Sequence, residues 1–118
     1  MSDSFAIAIL GIEENGLPEQ LPKDFALQGF LPNPFVRRGN IRLAIPTNSK
    51  IKLVIYDACG RLVNTVFEGN IEPGFHSFTF NGKNNHGQNL PGGAYFLRFE
   101  ARNKKEKIYD CTIKILKI

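Results

Sequence analysis

Tryptophan is absent from this sequence, methionine occurs once, and cysteine and histidine occur twice each. No apolar run approaches the ~20 residues a helix needs to cross a bilayer. The longest run near the start, Phe5-Ala-Ile-Ala-Ile-Leu-Gly-Ile12, also makes a poor secretory leader: Asp3 precedes it, no Lys or Arg does, and no small-x-small cleavage site follows. Carboxylates are missing altogether between Pro73 and Phe99. Eleven Gly and seven Pro leave little uninterrupted chain for long helices. Cys59 and Cys111 stand in no metal-ligand spacing. Two readings stay open for them: a pair of small, partly buried thiols, or one disulfide tying an early hairpin turn to the last strand.

These shortages remove most catalytic chemistry. His76 and Ser77 are adjacent in a strand-like segment, so their side chains point to opposite faces and cannot form a nucleophile–base pair. His86 lies in a polar Asn/Gly loop. The Asn84-Asn-His-Gly87 stretch offers none of the carboxylates a calcium site generally needs. Gly92-Gly93 precedes a strand, so no helix N-terminus is available to hold a phosphate. Glu13 and Glu14 read as solvated residues of a linker. No cofactor or metal is implied, and the chain is expected not to be an enzyme.

With 118 residues the chain has room for one domain. Fifteen Lys and Arg against eleven Asp and Glu give a net charge of +4, a mild excess that does not point to nucleic acid. The basic runs Arg37-Arg38 and Arg102, Lys104, Lys105, Lys107 read first as solvated turns. Period-two alternation dominates. It marks strands over Asp24–Leu31, Ile41–Ile45, Ile51–Tyr56, Arg61–Phe67, Phe75–Phe80, Ala94–Ala101 and Ile108–Ile118. Phe78, Phe80, Tyr95, Leu97 and Phe99 are expected to point inward, and Ile113 and Ile115 share a face opposite Lys114.

The breaks between these strands are equally legible. Pro32-Asn33-Pro34 stops the first strand, because two prolines preclude continued ladder pairing. Asp57-Ala-Cys-Gly60 reads as a hairpin turn, with Asp57 accepting from backbone N–H groups ahead of it and Gly60 free to take positive φ. Asn70-Ile-Glu-Pro-Gly74 is a second turn, residues 81–93 a long polar loop, and Arg102–Lys107 a charged hairpin loop. About seven short strands with regular turn signals predict an all-β fold, an immunoglobulin-like antiparallel β-sandwich over residues 24–118. Residues 12–23 read as a linker, and residues 1–11 as an N-terminal extension or the end of a preceding domain.

Four blocks stand in order: LPKDFALQGFLPNPF (21–35), IRLAIPTNSKIKLVIYDACGRLVNTVFEG (41–69), PGFHSFTFNGKNNHGQNLPGGAYFLRFEA (73–101) and KIYDCTIKILKI (107–118). Together they resemble the type A C-terminal sorting domain of cargo secreted by the bacterial type IX system, a pattern shared with the immunoglobulin-like domain of the flagellar hook-capping protein. Pro32-Asn33-Pro34-Phe35 stands in that family's Pro-Asn-Pro-Phe turn. Ile55-Tyr56-Asp57 with Gly60-Arg61 matches its hairpin. Phe80-Asn81-Gly82 occupies its Trp-Asp-Gly position, and Gly93-Ala94-Tyr95-Phe96 its Gly-Val-Tyr-Phe strand start.

The resemblance implies a non-catalytic module read by secretion machinery, chiefly through its last strands, with Ile113, Lys114, Ile115, Leu116 and Lys117 as the candidate recognition strand. It implies a cargo domain upstream and a route through the periplasm to the cell surface. Two alternatives compete. One is a structural, self-associating module in which residues 5–10 add a strand to another copy. The other is a carbohydrate-binding accessory domain, for which Phe30, Phe35, Phe67, Phe75 and Phe96 would have to form an exposed strip.

Overall fold

A computed structural model describes residues 21–118. The segment 5–10, its proposed strand addition and all of the 12–23 linker before Leu21 lie outside these residues. The described chain forms seven strands: β1 (Ala26–Leu31), β2 (Gly39–Ile45), β3 (Ser49–Asp57), β4 (Leu62–Ile71), β5 (Gly74–Phe80), β6 (Gly93–Asn103) and β7 (Glu106–Lys117). They build an immunoglobulin-like sandwich of two sheets, ordered β1-β2-β5 and β4-β3-β6-β7, with every ladder antiparallel.

The alternation read from the sequence becomes the inner face of each sheet. Ile41, Leu43 and Ile45 of β2 face Ile51, Leu53 and Ile55 of β3, and Leu97 and Phe99 of β6 complete the layer. All eight are essentially solvent-free. One end of the core is aromatic: Phe30 meets Phe35 edge-on at 5.0 Å between ring centroids, and Phe80 lies 5.8 Å from Phe35. The Trp-to-Phe departure at position 80 therefore keeps the bulk where it matters. At the other end Tyr109 stacks on Phe25 and makes a tilted contact with Phe99, while Phe67 and Phe78 meet at 5.1 Å.

Boundaries differ from expectation where backbone pairing outruns side-chain pattern. The charged segment 102–107 is not a hairpin loop: β6 and β7 pair up to Asn103 and Glu106, leaving a two-residue turn in which Lys104 takes φ 60°. Charged side chains at a sheet margin do not stop the ladder, since they extend into water while the backbone pairs. β4 likewise continues past Phe67 to Ile71, with bulges opposite Leu53/Val54 and Ile55/Tyr56 absorbing the register. Among the exposed-strip candidates, Phe30 and Phe35 are buried and Phe67 packs on the core. Phe75 alone is substantially exposed, beside the Arg42 guanidinium. A carbohydrate strip is not assembled.

Because Phe35 has no exposed surface and contacts both other rings, its truncation leaves a cavity under the crossing between sheets. Phe35→Ala is expected to lower unfolding stability by about 3–5 kcal/mol, with denaturant titration showing a shifted midpoint at unchanged m.

Candidate functional site

The turn residues and the candidate recognition strand singled out from the sequence converge on one end of the sandwich, around the final half of β7. The chain leaves β1 at Leu31 and turns through Pro32-Asn33-Pro34, with cis peptide bonds before both prolines. The turn carries it from the edge of the three-stranded sheet to the edge of the four-stranded one. There Phe35 bridges Lys117 in parallel. Four hydrogen bonds fix the crossing. The Leu116 N–H donates to Asn33 Oδ1 (2.9 Å) and Asn33 Nδ2 donates to the Lys114 carbonyl (3.2 Å). The Phe35 N–H donates to the Leu116 carbonyl (2.8 Å) and the Ile118 N–H to the Phe35 carbonyl (2.9 Å). A single side-chain amide thus does for β7 what another strand would do, supplying one donor and one acceptor in register.

Gly82 is the second element of this junction. Its φ is +72°, and a Cβ there would sit 2.7 Å from the Arg37 carbonyl and 3.3 Å from Lys117 Cε, with the Phe35 ring close by. Only glycine lets the 36–38 segment, the polar loop and the end of β7 approach this closely. That loop is not free. Asn84 Oδ1 accepts from the His86 and Gln88 N–H groups, the Asn85 N–H donates to the Val63 carbonyl, and Thr65 N–H donates to Asn85 Oδ1. The loop thereby covers the outer edge of β4, and the amide oxygens are spent on backbone.

The hairpin turn behaves as expected. Asp57 Oδ1 accepts from the Cys59 and Arg61 N–H groups, each at 2.9 Å, while its Oδ2 receives the Arg61 guanidinium at 2.8 Å. The Arg61 N–H is the main cause holding the Asp57 carboxyl below the usual carboxylate range, opposed by partial desolvation. Gly60 follows with φ 84°. Asp57 lies opposite Tyr95 in the ladder, and the Tyr95 hydroxyl donates to the Pro91 carbonyl at 2.6 Å. This is a tyrosine corner, pinning the loop to the start of β6. Burial, and secondarily the Asp57 charge, pushes the Tyr95 hydroxyl up.

Within the candidate recognition strand, Ile115 is fully buried and Ile113 half-buried against the core. Lys114 and Leu116 face solvent, and Lys117 is half-buried. Gly93 pairs with Lys117 and so meets the same end. The two cysteines do not meet. Both are free, Cys59 exposed in the hairpin turn and Cys111 half-buried in β7. The register separates them: Asp57, next to the turn, aligns through Tyr95 with Ile115, four residues along β7 from Cys111. At about 3.3 Å per residue that offset exceeds the ~7 Å Cα limit for a disulfide.

His76 and Ser77 point to opposite faces of β5, and His76 Nε2 donates to the Glu72 carbonyl at 2.8 Å. Glu100, on the outer face of the four-stranded sheet, is 7% exposed and held between Arg98 and Arg102. Arg98 also grips Asp110 with two bonds of 2.9 and 2.7 Å. That grip holds the Asp110 carboxyl down at about 2. Only strand register brings Arg98, Glu100 and Asp110 together, so no local motif signals them.

The family model described as the FlgD Ig-like domain matches residues 36–105. Basal-body rod modification protein FlgD of Salmonella typhimurium is 37% identical over 54 residues, which is 46% of this chain and 23% of that protein; the Salmonella typhi protein gives the same values. The chain therefore aligns with under a quarter of the curated relatives' length. Among solved structures, FlgD from P. aeruginosa superposes with a TM-score of 0.55 at 23% identity, over 67% of this chain and 61% of that one. Dimeric latent PorU from Porphyromonas gingivalis superposes with a TM-score of 0.65 at 18% identity, over 76% of this chain and 9% of that one. Both likenesses concern the fold.

Two outcomes follow from this geometry. Asn33→Ala removes two bonds to β7, and at about 1 kcal/mol each is expected to cost about 1–2 kcal/mol. The measurement is denaturant unfolding together with hydrogen exchange, in which the Leu116 amide should lose protection more than amides of β2. For pH, Asp110 titrates lower in the folded chain than its ordinary 3.8, so its pairing stabilises above that value and is lost as pH falls from about 4 toward 2. Asp57 contributes in the same direction over the acid range. Thermal melts of Asp110→Asn should show a weaker fall in melting temperature across that window than those of the parent chain.

Proposed function

The chain belongs to the FlgD Ig-like domain family, and we propose that it is a non-catalytic recognition module, a sorting domain that marks an upstream cargo for type IX secretion and surface attachment. The observation that carries this reading is spatial. The residues matching the sorting-domain pattern (Pro32–Phe35, Asp57, Gly60, Gly82, Gly93, Tyr95) are scattered over the sequence, yet all gather at the end of the sandwich where β7 finishes. They form turns, caps and close approaches, which organise a surface rather than a reaction centre. Among the described residues no group of His, Cys, Asp or Glu is placed to hold a metal, and His76 is committed to a backbone carbonyl.

In this reading the folded strand β7 presents Lys114 and Leu116 to the secretion machinery, the cargo precedes the sandwich, and the route runs through the periplasm to the cell surface. A second reading, a connector module that self-associates, draws on the family relation and on the open parts of the sheet edges. It predicts oligomers that dissociate on dilution.

The test is a periplasmic reporter fused ahead of residues 1–118 in a host with a type IX system. The reporter should reach the cell surface or medium; retention in the periplasm refutes the sorting role. Deleting Lys107–Ile118 should abolish export, though it also removes a strand. The sharper variant is Lys114→Glu with Leu116→Glu, both on the outer face. It is expected to cut export about tenfold, the equivalent of ~1.4 kcal/mol of binding, with the thermal transition preserved.

A further inference from the structure

The charges of the described residues are sorted by position. Arg37 and Arg38 follow the Pro-Asn-Pro crossing, Arg61 follows the hairpin turn, Lys83 stands in the loop, and Lys114 and Lys117 close β7. All six lie at the end of the sandwich where β7 finishes, and the single Asp or Glu there is Asp57, already bonded to Arg61. The other Asp and Glu side chains of the described chain (Asp24, Glu68, Glu72, Glu100, Glu106 and Asp110) lie on the strands and turns toward the opposite end. Among the described residues, Arg37, Arg38, Lys83, Lys114 and Lys117 form no ion pair; toward the opposite end Lys50, Lys52, Lys104 and Lys105 are also unpaired, but acidic side chains stand among the cations there, and Arg98, Arg102 and Lys107 are paired with Glu100 or Asp110. A modest net charge therefore conceals one strongly basic cap.

The cap is also shaped. Arg37, Lys83 and Lys117 line one recess of about 420 Å³, with the amides of Asn81 and Asn89 beside them and no Asp or Glu side chain in its wall. Gly82 creates the recess, because it lets the three cation-bearing segments approach one another. Its margin is apolar: Val36 is 60% exposed and Ile118 74%.

We propose that this recess is the docking site for an extended acidic segment of a protein partner, with carboxylates seated on Arg37, Lys83 and Lys117 and an apolar side chain laid on Val36 and Ile118. The proposal rests on the sorting reading only for the identity of the partner, the secretion machinery; its chemistry stands on the charge map. A protein segment fits better than a phosphorylated lipid surface. The cations surround a concavity instead of lying in one plane, the side chains of Asn81 and Asn89 line it beside them, and exposed Val36 and Ile118 stand at its margin to receive an apolar side chain. Cations with no ion pair among the described residues also give up no pairing there on binding.

The experiment follows backbone amide shifts of the full chain on adding a short peptide alternating Asp with Leu, and separately phosphatidylglycerol vesicles. Expected are saturable shifts at Arg37, Lys83 and Lys117, weakened by salt. The triple variant Arg37→Glu/Lys83→Glu/Lys117→Glu should weaken binding by at least about tenfold, ~1.4 kcal/mol. The control Lys104→Glu/Lys105→Glu, at the opposite end, should leave it unchanged. Absence of shifts at these residues, an equal loss in the control, or tighter binding to vesicles than to peptide each overturns the proposal. In the export assay, a triple variant exported as well as the parent also overturns it while leaving the sorting role intact. A parent fusion that stays in the periplasm removes the sorting role, and the peptide titration then decides the docking site alone.

Discussion

The two sheets of this sandwich are joined at one seam by a crossing chain, and the bonds between Asn33, Phe35 and the end of β7 are what the rest of that end depends on. An antiparallel edge strand presents a row of unpaired N–H and C=O groups, a liability in any β-sandwich. Here the first strand serves both sheets. It pairs with β2 up to Leu31, proline stops it, and the Asn33 side chain with the Phe35 backbone then satisfies Lys114, Leu116 and Ile118. The same step drives the Phe35 ring between Phe30 and Phe80. Edge closure and core packing are thus one event, and Gly82 is required because the crossing brings the Arg37 carbonyl against the polar loop.

The opposite seam is managed by different means. β4 is covered over Val63–Thr65 by the backbone and amide of Asn85, and Asn64 Nδ2 donates to the Lys83 carbonyl. What looks in sequence like a solvated loop is therefore an edge cover, and its many Asn residues supply side-chain groups that imitate backbone. With the final half of β7 and the first half of β4 both occupied, strand addition is restricted to the remaining edges. Near the C-terminal strand this leaves side chains on the outer face and at the cap, rather than free backbone, as the accessible surface.

Much of the fold was legible because it is written locally. Period-two alternation located all seven strands, the Asp57-x-x-Gly60 spacing specified a turn whose bonds are internal to it, and Tyr95 declared itself inward by its alternation with Phe96 and Arg98. What stayed hidden depends on register between distant residues. Asn33 reads as a turn residue, yet its partners lie more than eighty positions away. Glu100 reads as an outward strand residue, and only the flanking Arg98 and Arg102 on the same pleated face bury and neutralise it. The cysteine pairing failed for the same reason: composition permits a bridge, and the four-residue offset along β7 forbids it. Phe30 and Phe35 looked equally suited to an exposed strip or a core, since proline turns conceal which way the following side chain is sent.

Register also explains how a mildly basic chain acquires a basic end. Buried or half-buried carboxylates must be paired to be tolerated, and on the outer face of the four-stranded sheet the ladder sets Glu100 beside Asp110, a like-charged neighbour. Two such groups demand cations between and around them, and Arg98, Arg102 and Lys107 meet that demand. Arg98, Arg102 and Lys107 are thereby taken up in structural pairs. The cap has no comparable claim on Arg37, Lys83 or Lys117, because its polar loop carries amides in place of acids. The absence of Asp and Glu from Pro73 to Phe99, which in sequence merely excluded a calcium site, is in three dimensions the reason no acidic side chain of the polar loop neutralises the cations at this end.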